Sequence, residues 1–345
     1  MRVISIVAGC ALPLALAGAP EPASAQGLML TGYADFEARY AKTGPDNSEF
    51  FFDNYHFNLI AMGKLYKNLF ASGEVEYEHA GEEIMLEYAF LSYTGFKNIR
   101  ISAGKFIVPF GRFNKDLHPT WINKMPDRPL GMDNVLPQTY SDVGIWISGA
   151  AAVSGGTRIV YDAFVVNGLL GEDGGDIRDL RDNDREGLSA GGRDNNKAFG
   201  GRLGVELGPQ GLDVGASVYT GNYFDDPTDN LTLTLFGADA AYAYKGLEVR
   251  AEAVFASQDA TAGDLKKKGG YAQAAYMVRG RFEPVIRFSL KDMPGENNDQ
   301  RRLSFGGNYY VSANSSVRLA YHVNMEQDAF ASDNNAAVAQ FNIMF

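Results

Sequence analysis

The side chains in this sequence that are best suited to chemistry are cations that could hold anions. One group lies in an irregular stretch between residues 103 and 140 and comprises Arg112, Lys115, His118, Lys124 and Arg128. Seven more lie on the polar faces of segments with apolar residues at every second position: Arg100, Arg158, Arg202, Arg250, Arg287, Arg302 and Arg318. Lysine and arginine replace part of an anion's hydration shell, and arginine can bind phosphate through two parallel hydrogen bonds. Such side chains could hold and guide phosphate or other anions, and weak selectivity or a preference for cations is the alternative.

Carboxylates share the same polar faces. They are Glu74, Glu76, Glu78, Glu87, Asp162, Asp213, Asp239, Glu248 and Glu252. Opposite charges on the wall of a wide lumen often pair, or they face each other and build a transverse field without strong ion selection. An ion pair with a neighbouring acid is therefore the alternative interpretation for any single arginine.

Catalytic and metal-binding motifs are not found in the sequence. Cys10 is the only cysteine and lies near the N-terminus, so a disulfide framework and a thiolate metal site are excluded. The sequence has four histidines: His56, His79, His118 and His322. No two of them are spaced as metal ligands usually are. The sequence contains no nucleophile elbow, phosphate-binding loop or dinucleotide fingerprint. We therefore predict no enzyme, no cofactor and no metal.

A second charged stretch covers residues 168–196. Within it, residues 182–187 (Asp-Asn-Asp-Arg-Glu-Gly) resemble the start of a calcium-binding loop, but the twelfth position would be Arg193 instead of glutamate. A solvated loop is the favoured interpretation. Four arginines of this stretch could also contact lipopolysaccharide phosphates, and they are Arg178, Arg181, Arg185 and Arg193.

The elements that must position these side chains are long amphipathic strands. In one example, Leu247, Val249, Ala251, Ala253 and Phe255 alternate with mostly polar neighbours. A period of two indicates a strand with one apolar face. A soluble sandwich and a membrane barrel both contain such strands. The segments run for 10–14 residues, and this length favours the barrel, because about 9–11 tilted residues cross a bilayer whereas soluble strands usually have about 5–6.

Sixteen such segments are predicted, an even number that is expected of a bacterial barrel. They cover 28–40, 50–63, 66–79, 83–94, 97–108, 140–151, 156–167, 197–207, 211–221, 231–244, 246–257, 270–279, 281–291, 301–312, 315–325 and 336–345. Short turns alternate with longer links along the chain, which is the outer-membrane pattern. The chain ends on Phe345, at the end of an amphipathic strand that could close the barrel on the first strand.

The N-terminus predicts export. Residues 1–25 combine a charged start, an apolar run and Ala23-Ser24-Ala25, a cleavage site of the A-x-A kind. We expect a signal peptide over 1–25 and one barrel domain over 26–345. A retained membrane anchor and a lipid anchor at Cys10 are the alternatives. The rest of the chain has no apolar run of 18 residues, so a helical membrane protein is excluded. The net charge of −11 argues against nucleic-acid binding.

A resemblance to a known family centres on the start of the irregular stretch. Residues 104–111 read Gly-Lys-Phe-Ile-Val-Pro-Phe-Gly, and Gly104, Phe106, Pro109, Phe110 and Gly111 match the G-x-F-x-x-P-F-G signature of the phosphate-selective porins O and P. Looser similarity lies in residues 161–168, 246–252, 307–310 and 317–321. The resemblance implies a sixteen-stranded homotrimeric porin whose third external loop folds inward. Some members of that family conduct phosphate or pyrophosphate, and others pass different solutes.

Together these observations predict a passive channel in the bacterial outer membrane. Lipid would meet the apolar face, and water with small solutes or anions would meet the polar face. Folded inward, loop 109–139 would set the narrowest point; an external lid or a subunit-contact loop is its alternative role. The sequence departs from the phosphate-selective pattern because this loop has no clear lysine cluster. The rival class is a non-conducting scaffold barrel that is plugged by a partner such as a cytochrome.

Overall fold

The fold is built almost entirely from antiparallel β-strands. The computed structural model describes residues 26–117, 119–136, 139–177, 197–208, 211–224, 230–295, 299–326 and 333–345. Sixteen strands lie within these ranges: β1 Gln26–Lys42, β2 Ser48–Tyr66, β3 Leu69–Glu78, β4 Glu83–Phe96, β5 Ile99–Ile107, β6 Ser141–Ala152, β7 Thr157–Val166, β8 Ala198–Leu207, β9 Leu212–Asn222, β10 Thr232–Tyr244, β11 Leu247–Gln258, β12 Leu265–Tyr276, β13 Phe282–Asp292, β14 Gln300–Ser312, β15 Ser315–Glu326 and β16 Ala336–Met344.

The strands close into one barrel. Each strand pairs with its neighbours in sequence, and β16 pairs with β1 in a register that sets Tyr33 opposite Met344. Beyond β16, Phe345 continues this pairing, because Phe345 and Gly32 exchange two backbone hydrogen bonds of 2.9 Å. The Phe345 ring stacks on Phe57 of β2 at 5.9 Å. Closure leaves no free sheet edge, which is what a sheet in a bilayer requires.

The predicted all-β class and the number of strands are confirmed. The largest difference in bounds is in β12, which begins at Leu265, five residues before the predicted start. The run of lysines there resembles a loop in sequence. In the structure Lys267 turns to the buried face and donates a hydrogen bond of 2.7 Å to Gln258 of β11. Lys268 pairs with Asp292 of β13 at 3.0 Å, so both lysines are satisfied within the sheet.

The two faces of the barrel differ in polarity. Large apolar side chains point outward and are exposed, including Leu203 at 60% and Leu319 at 60%. A continuous exposed apolar surface of this kind requires lipid or a partner, and here it runs around the whole barrel. The opposite face of the same strands carries charged and amide side chains, most of them buried. The polar face is therefore the inner one.

Connections differ in length between the two ends of the barrel. At the short-turn end, β10 and β11 are joined by Lys245 and Gly246, both with positive φ, as a two-residue hairpin requires. Exposed aromatic residues ring this end: Tyr66, Tyr93, Phe96, Tyr244, Tyr276, Phe282, Tyr309 and Phe345. The opposite, long-loop end carries the extended connections, of which the longest joins β5 to β6. This sorting matches the predicted alternation.

The β5–β6 connection lies inside the barrel. It contains a π-helical turn, Phe113–Leu117, and a short helix α1, Gly131–Asn134. Its apolar side chains form one buried core with inward side chains of the wall, among them Phe164, Tyr219 and Val254. At Gly131 a Cβ would come within 2.4 Å of the backbone of Gly269 in β12. Among the described residues no helix is both long and apolar enough to cross a membrane.

Candidate functional site

The inner loop, residues 109–139, begins at the signature-like motif. Gly104 has φ +131°, and a Cβ there would lie 2.4 Å from the carbonyl oxygen of Ala89 on the neighbouring strand. Phe106 and Phe110 are fully buried, and Phe110 packs against Gly237 of β10, where a Cβ would come within 2.9 Å of its ring. Pro109 lies between them and is buried. These residues turn the chain from the wall into the lumen.

Gly111 completes that turn. Its φ of +64° is in the left-handed region, and a Cβ would lie 1.9 Å from Oε1 of Glu252 in β11. The Gly111 backbone N–H donates to Ser217 Oγ at 2.9 Å, and the Phe113 N–H donates to Glu252 Oε2 at 2.8 Å. A wall hydroxyl and a wall carboxylate thus satisfy the loop's first free backbone donors.

Cations in the first half of the inner loop pair with wall carboxylates. The Arg112 guanidinium donates to Asp213 of β9 and lies 3.5 Å from Asp239 of β10. Burial opposes its charge, but these two carboxylates raise the pKa of Arg112 above its ordinary value. Lys115 Nζ donates to Asp162 of β7 at 2.6 Å. His118 lies outside the described residues.

One of the two predicted cations in the second half of the inner loop, Lys124, also pairs with wall carboxylates. Lys124 Nζ donates to Glu283 of β13 at 2.5 Å and lies 3.3 Å from Glu248 of β11. Arg128 instead donates to the hydroxyl of Thr139 within the loop at 2.5 Å. Three of the predicted loop cations are thus ion-paired to the wall, which leaves little free positive charge on them.

Asp127 ties the loop to three strands. Its carboxylate receives Arg39 Nη2 of β1 at 2.5 Å and Arg302 Nη1 of β14 at 3.3 Å. His322 Nε2 of β15 lies 3.2 Å away. Burial alone would raise the pKa of Asp127, but His322, Arg39 and Arg302 hold it well below its usual range. The carboxylate is therefore ionised at neutral pH and acts as an anchor for the loop.

Two of the predicted lumen arginines hold the loop backbone. Arg287 is fully buried, and its Nη1 donates to the carbonyl oxygen of Asp127 at 2.8 Å. Arg318 donates to the carbonyl oxygens of Thr120 and Trp121. These guanidinium groups are occupied in positioning the loop.

The remaining lumen arginines lie along the wall. Arg202 forms a two-bonded pair with Asp239 at 2.8 and 2.6 Å, and Arg250 pairs with Glu248. Arg302 contacts Asp127 as described. Arg100 lines a cavity at the short-turn end, as does Arg158, whose side chain is 54% exposed and 3.3 Å from Glu206.

A cluster of acids covers the inner wall of β1 to β3. Asn58 of β2 donates from one amide nitrogen to Glu74 at 2.7 Å and to Glu76 at 2.6 Å. His56 bridges Asp35, 2.9 Å from Nδ1, and Glu78, 3.4 Å from Nε2. Within the described chain, no lysine or arginine forms an ion pair with Glu74, Glu76 or Glu78. The negative charge of this wall is therefore weakly compensated.

Two cavities lie on opposite sides of the inner loop. The upper cavity, of about 340 Å³, faces the long-loop end between the loop and β1–β2, and its lining includes Arg39, Asp53, His56, Asp127 and Arg128. The lower cavity, of about 470 Å³, faces the short-turn end, and its lining includes Arg100, Lys115, Trp146, Arg158 and Asp162. The loop thus separates two spaces within one lumen, each large enough for several water molecules.

Sequence reasoning missed two features of this site. Asp127 was one of several loop acids, and only the fold brings Arg39 and Arg302, from opposite ends of the chain, to it. The grouping of His56 with Glu76 and Glu78 was also missed, because 20 or more residues separate the histidine from the acids and no short ligand spacing marks the group in the sequence. Alternation of Glu74, Glu76 and Glu78 on one strand face was the available signal. The calcium-like residues 182–187 and Arg193 lie outside the described residues.

The closed barrel, and the inner loop that lies in its lumen, define a membrane-spanning barrel of the general porin type. Residues 11–329 match the family described as Gram-negative porin, and the chain belongs to that family. An uncharacterized protein of Aquifex aeolicus (strain VF5) is 30% identical over 256 residues, which are 70% of this chain and 54% of that protein. The matched region therefore spans about half the length of that relative.

Solved structures show the same fold at low sequence identity. The anion-selective porin from Comamonas acidovorans superposes with a TM-score of 0.65 at 14% identity, over 92% of this chain and 99% of that one. The trimer form of OmpT, an outer membrane protein of Vibrio cholerae, gives a TM-score of 0.61 at 11% identity, over 92% and 99% of the two chains. The finer resemblance to the phosphate-selective porins O and P stays a prediction.

Proposed function

We propose that this protein is a passive channel of the bacterial outer membrane, exported by the signal peptide predicted over residues 1–25, which passes small hydrophilic solutes. The observation that carries the proposal is the pair of cavities on either side of one inner loop in a closed barrel with a polar lumen. A bound cofactor has no part in this function. Solutes would move down their own gradients.

The inner loop would set the narrowest passage. Its contacts reach inward side chains from β1 to β15, and the two cavities lie beside β1–β7 and Arg302 of β14. Asp127, Arg287 and Arg318 would fix the loop's position, and Arg112, Lys115, Lys124 and Arg128 would border the passage. His118 would belong to the same segment. This division of roles separates anchoring groups from lining groups.

Charge pairing argues for weak selectivity with a cation preference. Arg112, Lys115 and Lys124 are neutralised by wall carboxylates, whereas the acids on β3 have no lysine or arginine partner in the described chain. Paired charges give a small net field at the distance of a passing ion. The alternative is an anion or phosphate preference, which the resemblance to porins O and P favours. Arg100 and Arg158, exposed in the lower cavity, are the side chains that would carry it.

A homotrimer in the outer membrane, in contact with lipid and lipopolysaccharide, is the proposed assembly. The exposed apolar face, and the exposed aromatic residues around the short-turn end, support placement of the barrel in a bilayer. The trimer form of the Vibrio OmpT structure makes three subunits a reasonable expectation, and crosslinking of the folded protein would count them.

The test of function is the conductance of the purified barrel in a planar bilayer under a salt gradient, with and without millimolar phosphate. Discrete steps with a weakly cation-favouring reversal potential, insensitive to phosphate, are expected. An anion-favouring potential with phosphate block would replace the cation preference by the phosphate channel. The absence of any steps from folded protein would contradict the channel and favour the rival class, a scaffold barrel plugged by a partner such as a cytochrome.

A further inference from the structure

We propose that His56, Glu76 and Glu78 form a binding site for a first-row divalent cation of the zinc type on the wall of the lumen. His56 projects from β2, and the two glutamates project from the adjacent strand β3. One ligand atom of each residue lies within 4.8 Å of the others. All three residues are on the inner face and are buried, with 2%, 3% and 6% of their surface exposed.

The spacing of the three ligand atoms suits a small divalent ion after a modest contraction. Ligand atoms around a tetrahedral zinc ion with bonds of about 2.1 Å lie about 3.4 Å apart. His56 Nε2 and Glu78 Oε1 already lie 3.4 Å apart. Glu76 would complete the set by a side-chain rotation, since glutamate has three rotatable bonds and the backbone positions of both strands are fixed by their register.

One buried carboxylate oxygen of this group has no hydrogen-bond partner. Oε1 of Glu76 is buried and has no hydrogen-bond partner, and the same holds for Oδ1 of Asp35 beside His56. A buried acceptor without a partner costs about 1–3 kcal/mol, and more when it carries charge. Two carboxylates so close together also repel each other. A divalent cation between them would remove both penalties.

The surroundings of His56 match those of a metal ligand. Its Nδ1 is 2.9 Å from Asp35 Oδ2, and Thr120 Oγ1 of the inner loop donates to the same carboxylate oxygen at 2.6 Å. Ligating histidines commonly donate their second nitrogen to a carboxylate that fixes the ring and its tautomer. Asp35 therefore acts as a positioning residue that aims Nε2 at Glu78, where the cation would bind.

The cation would enter from the long-loop side, where His56 borders the upper cavity. His56 lines the upper cavity together with Asp53, His79 and Arg128. Three protein ligands leave at least one coordination position for water, as in exchangeable zinc sites. The nitrogen ligand favours zinc-type ions over Mg²⁺, which prefers oxygen ligands and keeps its water shell. Arg39, Arg128 and Arg302 also line this cavity, and their positive charge would weaken binding.

The test measures Zn²⁺ binding to the folded, detergent-solubilised barrel by titration calorimetry, with Mg²⁺ as the comparison ion. Wild type is expected to bind one Zn²⁺ per chain, at least tenfold more tightly than Mg²⁺. Glu76→Gln should weaken Zn²⁺ binding at least tenfold. Glu74→Gln is the matched control, because Glu74 shares Asn58 with Glu76 but is not one of the three ligands, and its affinity should stay within twofold of wild type.

Each other outcome would overturn the site. No saturable binding, equal affinity for Mg²⁺ and Zn²⁺, or equal losses in Glu74→Gln and Glu76→Gln would show diffuse attraction to an acidic wall. If Glu76→Gln does not fold, Glu78→Gln takes its place under the same criteria. The calorimetric readout does not depend on conductance, so failure of the metal site and failure of the channel are distinguishable.

Discussion

Arg39 in β1 donates to Asp127 of the inner loop, Nη2 to Oδ1 at 2.5 Å, across 88 residues of sequence. The same carboxylate receives Arg302 from β14 at 3.3 Å. Strands β1 and β14 belong to the part of the wall where the barrel closes on itself through β16. One loop carboxylate therefore joins the first strand, the third strand from the end and the loop that fills the lumen.

Asp127→Asn should release the inner loop. The amide keeps the shape but loses the charge, so Arg39 and Arg302 both lose this carboxylate, while Arg39 retains Glu37 at 2.8 Å. Breaking a largely buried pair costs about 3 kcal/mol. Urea unfolding should show that loss, and single-channel recordings should show larger, noisier steps. The control is Asp333→Asn, because Asp333 pairs with Lys42 with both side chains about one third exposed, and such a pair contributes about 0–1 kcal/mol. Equal effects of the two substitutions would contradict the anchor.

The Asp127 contribution has a defined pH window. The pKa of this carboxyl is lowered in the folded protein, so its stabilisation is present above the unfolded value of about 3.9 and is lost as the pH falls through the folded value. The difference in unfolding free energy between wild type and Asp127→Asn should be constant from about pH 5 to 8 and shrink below about pH 4. A difference that already fades near pH 6 would contradict the lowered pKa of the Asp127 carboxyl.

The fold could be predicted from the sequence far better than the site. The alternation of apolar and polar residues depends only on which face of a strand meets lipid. It can be read within a single strand, as in the residues from Leu247 to Phe255. The pairing of Lys124 with Glu283 or of Arg39 with Asp127 depends on where a long loop folds in the lumen. No local pattern encodes that position. Gly111 is intermediate: the motif marked it, but the Glu252 carboxylate that excludes a side chain there lies 141 positions along the chain.

Gly111→Ala should dislodge the start of the inner loop. The left-handed backbone costs a non-glycine residue about 1–2 kcal/mol, and the new methyl would also meet the Glu252 carboxylate at 1.9 Å. Gly155→Ala is the control, since Gly155 has a similar φ of +58° but nothing within 4 Å of the added Cβ. Unfolding in urea should show a clearly larger loss for Gly111→Ala. Equal losses would mean that only backbone strain matters and that the carboxylate yields freely.

The Lys124–Glu283 pair predicts two opposite changes in selectivity. Lys124→Gln leaves Glu283 without its lysine and leaves Glu248 paired with Arg250. It should shift the reversal potential toward cations. Glu283→Gln partly frees Lys124 and should shift it toward anions. A partly screened charge contributes about 0.5 kcal/mol, or about twofold in the permeability ratio. Shifts of the same sign would show that the two substitutions act by moving the loop and that this pair does not border the passage.

The exposed apolar face predicts a dependence on depth in the bilayer. Leu203 lies in the middle of β8 and is 60% exposed, whereas Val153, 59% exposed, follows β6 at the short-turn end. Arginine on the lipid face costs about 2–4 kcal/mol at the midplane and about 0–1 near the interface. Leu203→Arg should therefore lower the unfolding free energy in lipid vesicles by about 1–4 kcal/mol more than Val153→Arg. Because both positions are equally exposed in water, equal costs would mean that the outer face of β8 is covered by protein and not by lipid.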